Sequence, residues 1–210
     1  MLGLDTLITF IAASALLTLA PGPDNIFVLL QSAMHGRRAG VIVTLGLCTG
    51  LIAHTLAVSL GIAVIFQVSA LAFTLLKVAG AIYLLYLAWQ SIRAAASHIS
   101  DENQPVLGSW SLYRRGVLMS SSNPKLAIFF MAFLPQFADP AAGSLSLQLA
   151  QLGLVFILVA FCVMGMIALL AAGLSGWLRE SPRGQVLINR LAGVVFIGLA
   201  VKLVTAEQHS

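Results

Sequence analysis

Apolar residues in this chain run in blocks on the order of twenty long, parted by short stretches of charge, glycine and proline. Reading between those markers predicts six helices, at about residues 5–34, 40–65, 70–90, 113–136, 147–175 and 187–205. Blocks of that length suit the roughly 30 Å hydrocarbon core of a bilayer. The first and fourth are interrupted, by Pro21-Gly22-Pro23 and by Asn123-Pro124-Lys125. A straight first helix would extend about 45 Å at about 1.5 Å per residue, so an unwound or bent centre there removes the excess.

A proline inside a helix removes a backbone donor and clashes with the turn before it. In hydrocarbon the freed carbonyls cannot turn to water, so a break is tolerated only against protein or a wet cavity. One interruption per half of a chain is a pointer to a transporter's midplane site. A carrier is therefore the expectation, with a pair of structural kinks as the alternative.

Composition sharpens this. Of the 210 residues, 60% are hydrophobic and 9% charged, against about 25% charged in soluble domains. The predicted class is an all-α integral membrane protein with six transmembrane helices, the first and fourth broken. It forms one transmembrane domain over residues 1–210, with halves at about 1–92 and 113–210. A polar connection at about 93–112 carries Asp101, Glu102, Asn103 and Pro105. The first apolar block lacks the positive start of a secretory signal and is read as the first span, retained. Cys48 and Cys162 fall inside spans without metal-ligand spacing and read as packing residues.

The net charge of +4 does not indicate nucleic acid, because no basic stripe with interleaved aromatics exists. The basic residues sit instead in short connections. Arg37 and Arg38, then Arg93, Arg114 and Arg115, then Arg179, Arg183 and Arg190 all fall on one side, against Lys202 on the other. The positive-inside rule places those arginines in the cytoplasm and both termini outside.

Three spans per half require any internal repeat to be inverted. Gly22-Pro23-Asp24 lines up with Asn123-Pro124-Lys125, and Lys77-Val78-Ala79-Gly80 with Arg190-Leu191-Ala192-Gly193. Tyr83 and Phe196 each follow three residues after the glycine. Two inverted three-helix repeats are expected, and with them alternating access around a midplane site.

Pro23 and Pro124 suit the first position of a half-helix, with Gly22 and Asn123 as N-caps. The amide-rich starts of such half-helices favour an anion such as a carboxylate. Asp24 and Lys125 follow directly, and charge inside a membrane is a functional-site hypothesis by default. Asp24 suits a helix start, whereas Lys125 opposes its own helix dipole. The alternative is that the two pair and hold the bundle together.

His54 shares a helix face with Gly46, Gly50 and Ala57. Small residues there let a neighbouring helix approach, which turns His54 toward the bundle. It is a candidate proton carrier, or else a neutral packing histidine bonded to a carbonyl. Lys77 and Arg190 read as snorkelling residues; Trp89, Trp110 and Trp177 read as interfacial anchors.

The segment Ala20-Pro21-Gly22-Pro23-Asp24-Asn25, the glycine-rich second span with His54, the run Leu76-Lys77-Val78-Ala79-Gly80-Ala81-Ile82-Tyr83-Leu84, and Asn123-Pro124-Lys125 together resemble the LysE/RhtB family. These motifs are specific in that order and spacing, and the likeness covers nearly the whole chain. The resemblance implies a multi-pass amino-acid exporter of the bacterial inner membrane, driven by exchange with protons. Its homoserine, threonine and leucine side is nearer than its basic amino-acid side, with a basic amino acid, an amino-acid derivative or a metal ion as the alternative substrate. It also implies a substrate site at the two proline breaks, Pro21, Gly22, Pro23, Asp24, Asn25, Asn123, Pro124 and Lys125; the titratable side chains Asp24 and His54 are the proton-coupling candidates.

Other classes fit less well. An intramembrane aspartyl protease needs two carboxylates, and the spans offer Asp24. A haem protein wants paired axial ligands, yet His35, His98 and His209 fall outside the predicted core. No nucleotide-binding glycine loop is present. A metal exporter would cluster ligands, and Cys48 and His54 lack partners. No cofactor or resident metal is expected. The implied partners are an amino acid, protons and the lipid bilayer, and the small-residue faces permit a homodimer.

Overall fold

A computed structural model describes residues 3–62, 70–94, 107–180 and 182–205. The polar stretch with His98, Asp101, Glu102, Asn103 and Pro105 lies outside them, as does His209. The described residues are helical, without strands. Helix α1 covers Leu4–Leu19, α2 Pro23–His35, and α3 Arg37–Ala57, the last continuing through a π turn at Val58–Ile62. Then come α4 (Ala70–Arg93), α5 (Ser109–Ser121) and α6 (Pro124–Ile128), which continues through a π turn at Phe129–Phe133 and a 3-10 turn at Leu134–Phe137. Helices α7 (Leu145–Glu180) and α8 (Pro182–Thr205) complete the chain.

Four helices are each long and apolar enough to cross a membrane: α3, α4, α7 and α8. Two further pairs of helices pass the same test only when taken together, and both are bent. Helix α1 meets α2 at 64°, and α5 meets the helical path that α6 begins, Pro124–Phe137, at 47°. Counting each pair as one span gives six, with the breaks where the prolines are. Pro23 and Pro124 each occupy the first turn of the second half-helix, where a missing N–H is harmless.

The helix ends correct the sequence reading at the charged connections. Arg37 and Arg38 begin α3 instead of lying in a loop, and Gly36 alone separates α2 from α3. Its φ of 84° is a left-handed value that a residue with a Cβ would resist. Trp110 likewise falls within α5, so the polar connection ends at Gly108, several residues before the expected boundary. Helix α7 runs 36 residues, about 54 Å at 1.5 Å each, and so carries Arg179 on helical backbone. Charge stopped the apolar runs but not the hydrogen-bond ladder, because a helix outlasts the hydrocarbon once its side chains reach water.

Glycine sets the closest helix contacts. A methyl group on Gly46 would strike the carbonyl of Tyr113, one on Gly50 would strike Ser120, and one on Gly116 would strike the carbonyl of Val43. Helices α3 and α5 therefore touch backbone to backbone. Gly80 abuts Leu203 while Gly193 abuts Ala88 and Ile92, so α4 and α8 run antiparallel. Gly153 abuts Thr55, and Cys48 Sγ lies 3.9 Å from the Ile157 carbonyl oxygen, which sets α3 antiparallel to α7. Both cysteines are free; Cys48 is buried and Cys162 exposed.

The main core is aromatic. Phe10, Phe129, Phe130, Phe133, Phe137 and Phe156 pack ring against ring around the second broken span. The outer surface stays apolar, with Leu75, Ile82, Leu154, Leu170 and Val194 all exposed. An apolar exterior of that extent is a lipid-facing one. Trp89 and Trp110 lie on this exterior, the first beneath the Arg93 guanidinium and the second stacked on Tyr113. The Trp177 side chain is outside the described residues.

Candidate functional site

Each broken span leaves a frayed end, and the two ends satisfy one another. Helix α1 stops at Leu19, where Pro21 and Pro23 cannot supply the donors that its last carbonyls need. Asn25 turns back and donates from Nδ2 to the carbonyl oxygens of Thr18 (2.8 Å) and Leu19 (3.4 Å). Lys125 reaches across from the other break and donates from Nζ to the Ala20 carbonyl oxygen at 3.3 Å. The same ammonium lies close enough to Gly22 that an added Cβ would sit 3.2 Å from it. A cation belongs there, since the C-terminal end of a helix is its negative pole. Lys125 thus opposes the dipole of its own helix but serves that of α1.

The second break is capped from within. The Lys125 backbone N–H donates to Asn123 Oδ1 at 3.0 Å, making Asn123 the N-cap of α6. The Asn123 amide then donates from Nδ2 to Asp24 Oδ2 at 2.7 Å, at the start of α2. One asparagine holds both half-helix starts. Asp24 Oδ1 is buried and makes no hydrogen bond. Asp24 and Lys125 each bond to the opposite break, not to one another, so a simple ion pair does not describe them. Their residual exposures are 4% and 8%, low for charged side chains.

A cavity of about 20 Å³ lies between the breaks. Asp24, Lys125, Thr18 and Ser120 supply its polar wall, and Cys48, Leu51, Phe156 and Met164 are among its apolar residues. That volume admits about one water molecule and is far below the roughly 300 Å³ of a small-molecule pocket. The bundle is closed around its charges in this conformation.

The structure brings together Asp24, Asn25, Asn123 and Lys125, all buried. Pro21 and Gly22 form the extended link beside them, whereas Pro23 and Pro124 are exposed and act by breaking backbone, not by lining the cavity. His54 donates from Nε2 to the Ser120 carbonyl oxygen at 2.9 Å, with Phe130 beside its ring. In an unbroken helix that carbonyl would bond to residue 124, which is proline. The carbonyl accepts instead from the Asn123 backbone N–H at 3.1 Å, and His54 is its second donor. Gly46 and Gly50, on the same face, bring α3 close enough for that bond. Lys77 and Arg190 lie away from the cavity lining. Among the described residues, no three His, Cys, Asp or Glu side chains are placed to hold a metal ion.

Sequence reasoning missed Thr18, Ser120 and Gln31. The first two line the cavity, and Gln31 is buried with an unpartnered Oε1. Their signal was polarity inside an apolar run, weak because hydroxyls in membrane helices commonly bond back to their own turn, as Thr18 does to Ser14.

An apolar helical bundle with two broken spans and a charged cavity between them is the architecture of a membrane transporter. A family model described as LysE type translocator matches residues 15–207, and the chain belongs to that family. It is 34% identical over 198 residues to a homoserine/homoserine lactone efflux protein of Salmonella typhimurium, covering 94% of this chain and 95% of that protein. An uncharacterized membrane protein of Vibrio cholerae is 32% identical over 200 residues, covering 95% of this chain and 97% of that one. No solved structure matches. The family is one of membrane transporters, as the sequence motifs implied, and its efflux relatives support an amino-acid-type exporter.

Proposed function

We propose that this protein is a secondary exporter of small neutral amino acids, homoserine, threonine or leucine among them, across the bacterial inner membrane. Export runs by proton antiport, with both termini in the periplasm. The interlock of the two breaks carries the reading: Asn123 on Asp24, and Lys125 on the end of α1. A zwitterion offers an ammonium to Asp24 Oδ1 and a carboxylate to Lys125. It thereby competes for both links, and binding pries the halves apart. Asp24 is the coupling group, since a protonated carboxyl releases an ammonium. His54 holds the Ser120 carbonyl and keeps the second break in shape.

Alternating access by two inverted three-helix repeats is supported by paired contacts. Exchange of the halves turns the Asp24–Asn123 contact into the Lys125–Gly22 contact, and the Gly80–Leu203 contact into one close to Gly193–Ala88.

Everted membrane vesicles test the coupling. With an acid lumen they accumulate labelled homoserine, a protonophore abolishes the accumulation, and Asp24→Asn removes it while His54→Gln retains the dependence on the gradient. Accumulation indifferent to the protonophore overturns antiport.

A further inference from the structure

Helix α2 buries more polarity than the cavity uses. Below Asp24, the next side chains on its face are Val28, Gln31 and His35. At about 100° per residue the four lie within an arc of about 60°, one above another. Three of them carry a buried polar atom without a hydrogen bond: Asp24 Oδ1, Gln31 Oε1 and His35 Nδ1. Buried polar atoms are almost always paired, and each exception needs an explanation. Three on one stripe of one membrane helix share an explanation. Val28, between them, is wholly buried.

The distance fits a half-crossing. Eleven residues separate Asp24 from His35, about 16 Å along a helix axis, which is about half the hydrocarbon core. The stripe runs from the break to the helix end, where Arg37 and Arg38 follow. The Arg115 guanidinium lies over the Phe27 ring, at the border of the same face, 5.3 Å from its centroid.

The second half of the chain is different at matching positions. After Pro124 these are Lys125, Phe129, Ala132 and Gln136. Phe129 and Ala132 are buried in the aromatic core, and Gln136 donates to the Ala132 carbonyl oxygen. One half-path is filled with rings and satisfied; the other is polar and unsatisfied.

We propose that the Asp24–Val28–Gln31–His35 face of α2 is the cytoplasmic half of the translocation path. Val28 closes it in this conformation, and water and substrate enter along it when the carrier opens inward. The phenylalanine-filled half around Phe129 is the opposite gate, shut here. Gln31 offers successive hydrogen bonds to a zwitterion travelling between the surface and Asp24. This inference rests on the carrier reading.

Cysteine accessibility tests it. Gln31→Cys, and separately Val28→Cys, are treated with a charged, membrane-impermeant thiol reagent in everted and in right-side-out vesicles. The parent chain, with Cys48 and Cys162, gives the background. Both positions are expected to label above background from the cytoplasmic side, and to be protected by homoserine. In the same vesicles Gln31→Leu, which removes the polarity at similar size, lowers transport several-fold at unchanged expression. Labelling of neither cysteine while the proteins still transport homoserine, or labelling only from the periplasmic side, overturns the path and leaves the carrier reading intact. Absence of homoserine transport by the parent chain overturns the carrier reading itself.

Discussion

Asn123 donates from its amide to Asp24 Oδ2 at 2.7 Å, and so ties the start of one half-helix to that of the other. The two residues are 99 positions apart in sequence. The same asparagine caps α6 through its Oδ1. Its replacement therefore removes two contacts at once, at a buried position.

Asn123→Ala loses an N-cap, about 1 kcal/mol, and a hydrogen bond to a buried carboxylate, about 1.5–3 kcal/mol. The expected outcome is a lower melting temperature in detergent and loss of transport. Asn123→Asp keeps the cap but faces Asp24 with a second carboxylate, so it should fall further in transport than in stability. Thermal unfolding followed by size-exclusion chromatography, together with vesicle transport, reads both.

Homoserine and its lactone separate the roles of the two charges. Both carry an ammonium; only homoserine carries a carboxylate. As competitors of labelled homoserine export, homoserine should therefore weaken strongly and the lactone little in Lys125→Gln, while Asp24→Asn weakens both. Competition assays in vesicles give the comparison. Equal losses for both compounds in Lys125→Gln would assign the lysine to the α1 terminus alone.

The break positions were legible in the sequence because proline acts on its own backbone, wherever the rest of the fold goes. The four unbroken apolar helices were legible for a similar reason, since the length of an apolar run is a local property. The partner of Lys125 was not legible. A dipole argument limited to α6 marks that lysine as misplaced, and only the arrival of the α1 carboxyl end from the other half explains it. His54 was open between proton carrier and packing residue because its partner, the Ser120 carbonyl, is 66 positions away. Helix ends failed at Arg37 and Arg38, where charge ends the apolar run while the backbone ladder continues.

Glycine substitutions should divide by position. Gly46→Ala and Gly116→Ala push a methyl into the facing backbone of α3 and α5, an overpacking that costs about 1–3 kcal/mol. Gly165→Ala and Gly198→Ala meet open space and should be neutral or slightly stabilising through helix propensity. Melting temperatures of the four variants check the division. A uniform response would mean that α3 and α5 do not approach as closely as described.

Transport through one site built from both breaks is tested most directly by equilibrium binding. Purified protein should bind labelled homoserine, and Asp24→Asn and Lys125→Gln should each lose most of that binding while remaining folded by chromatography. Binding by both variants at the parent level would contradict it.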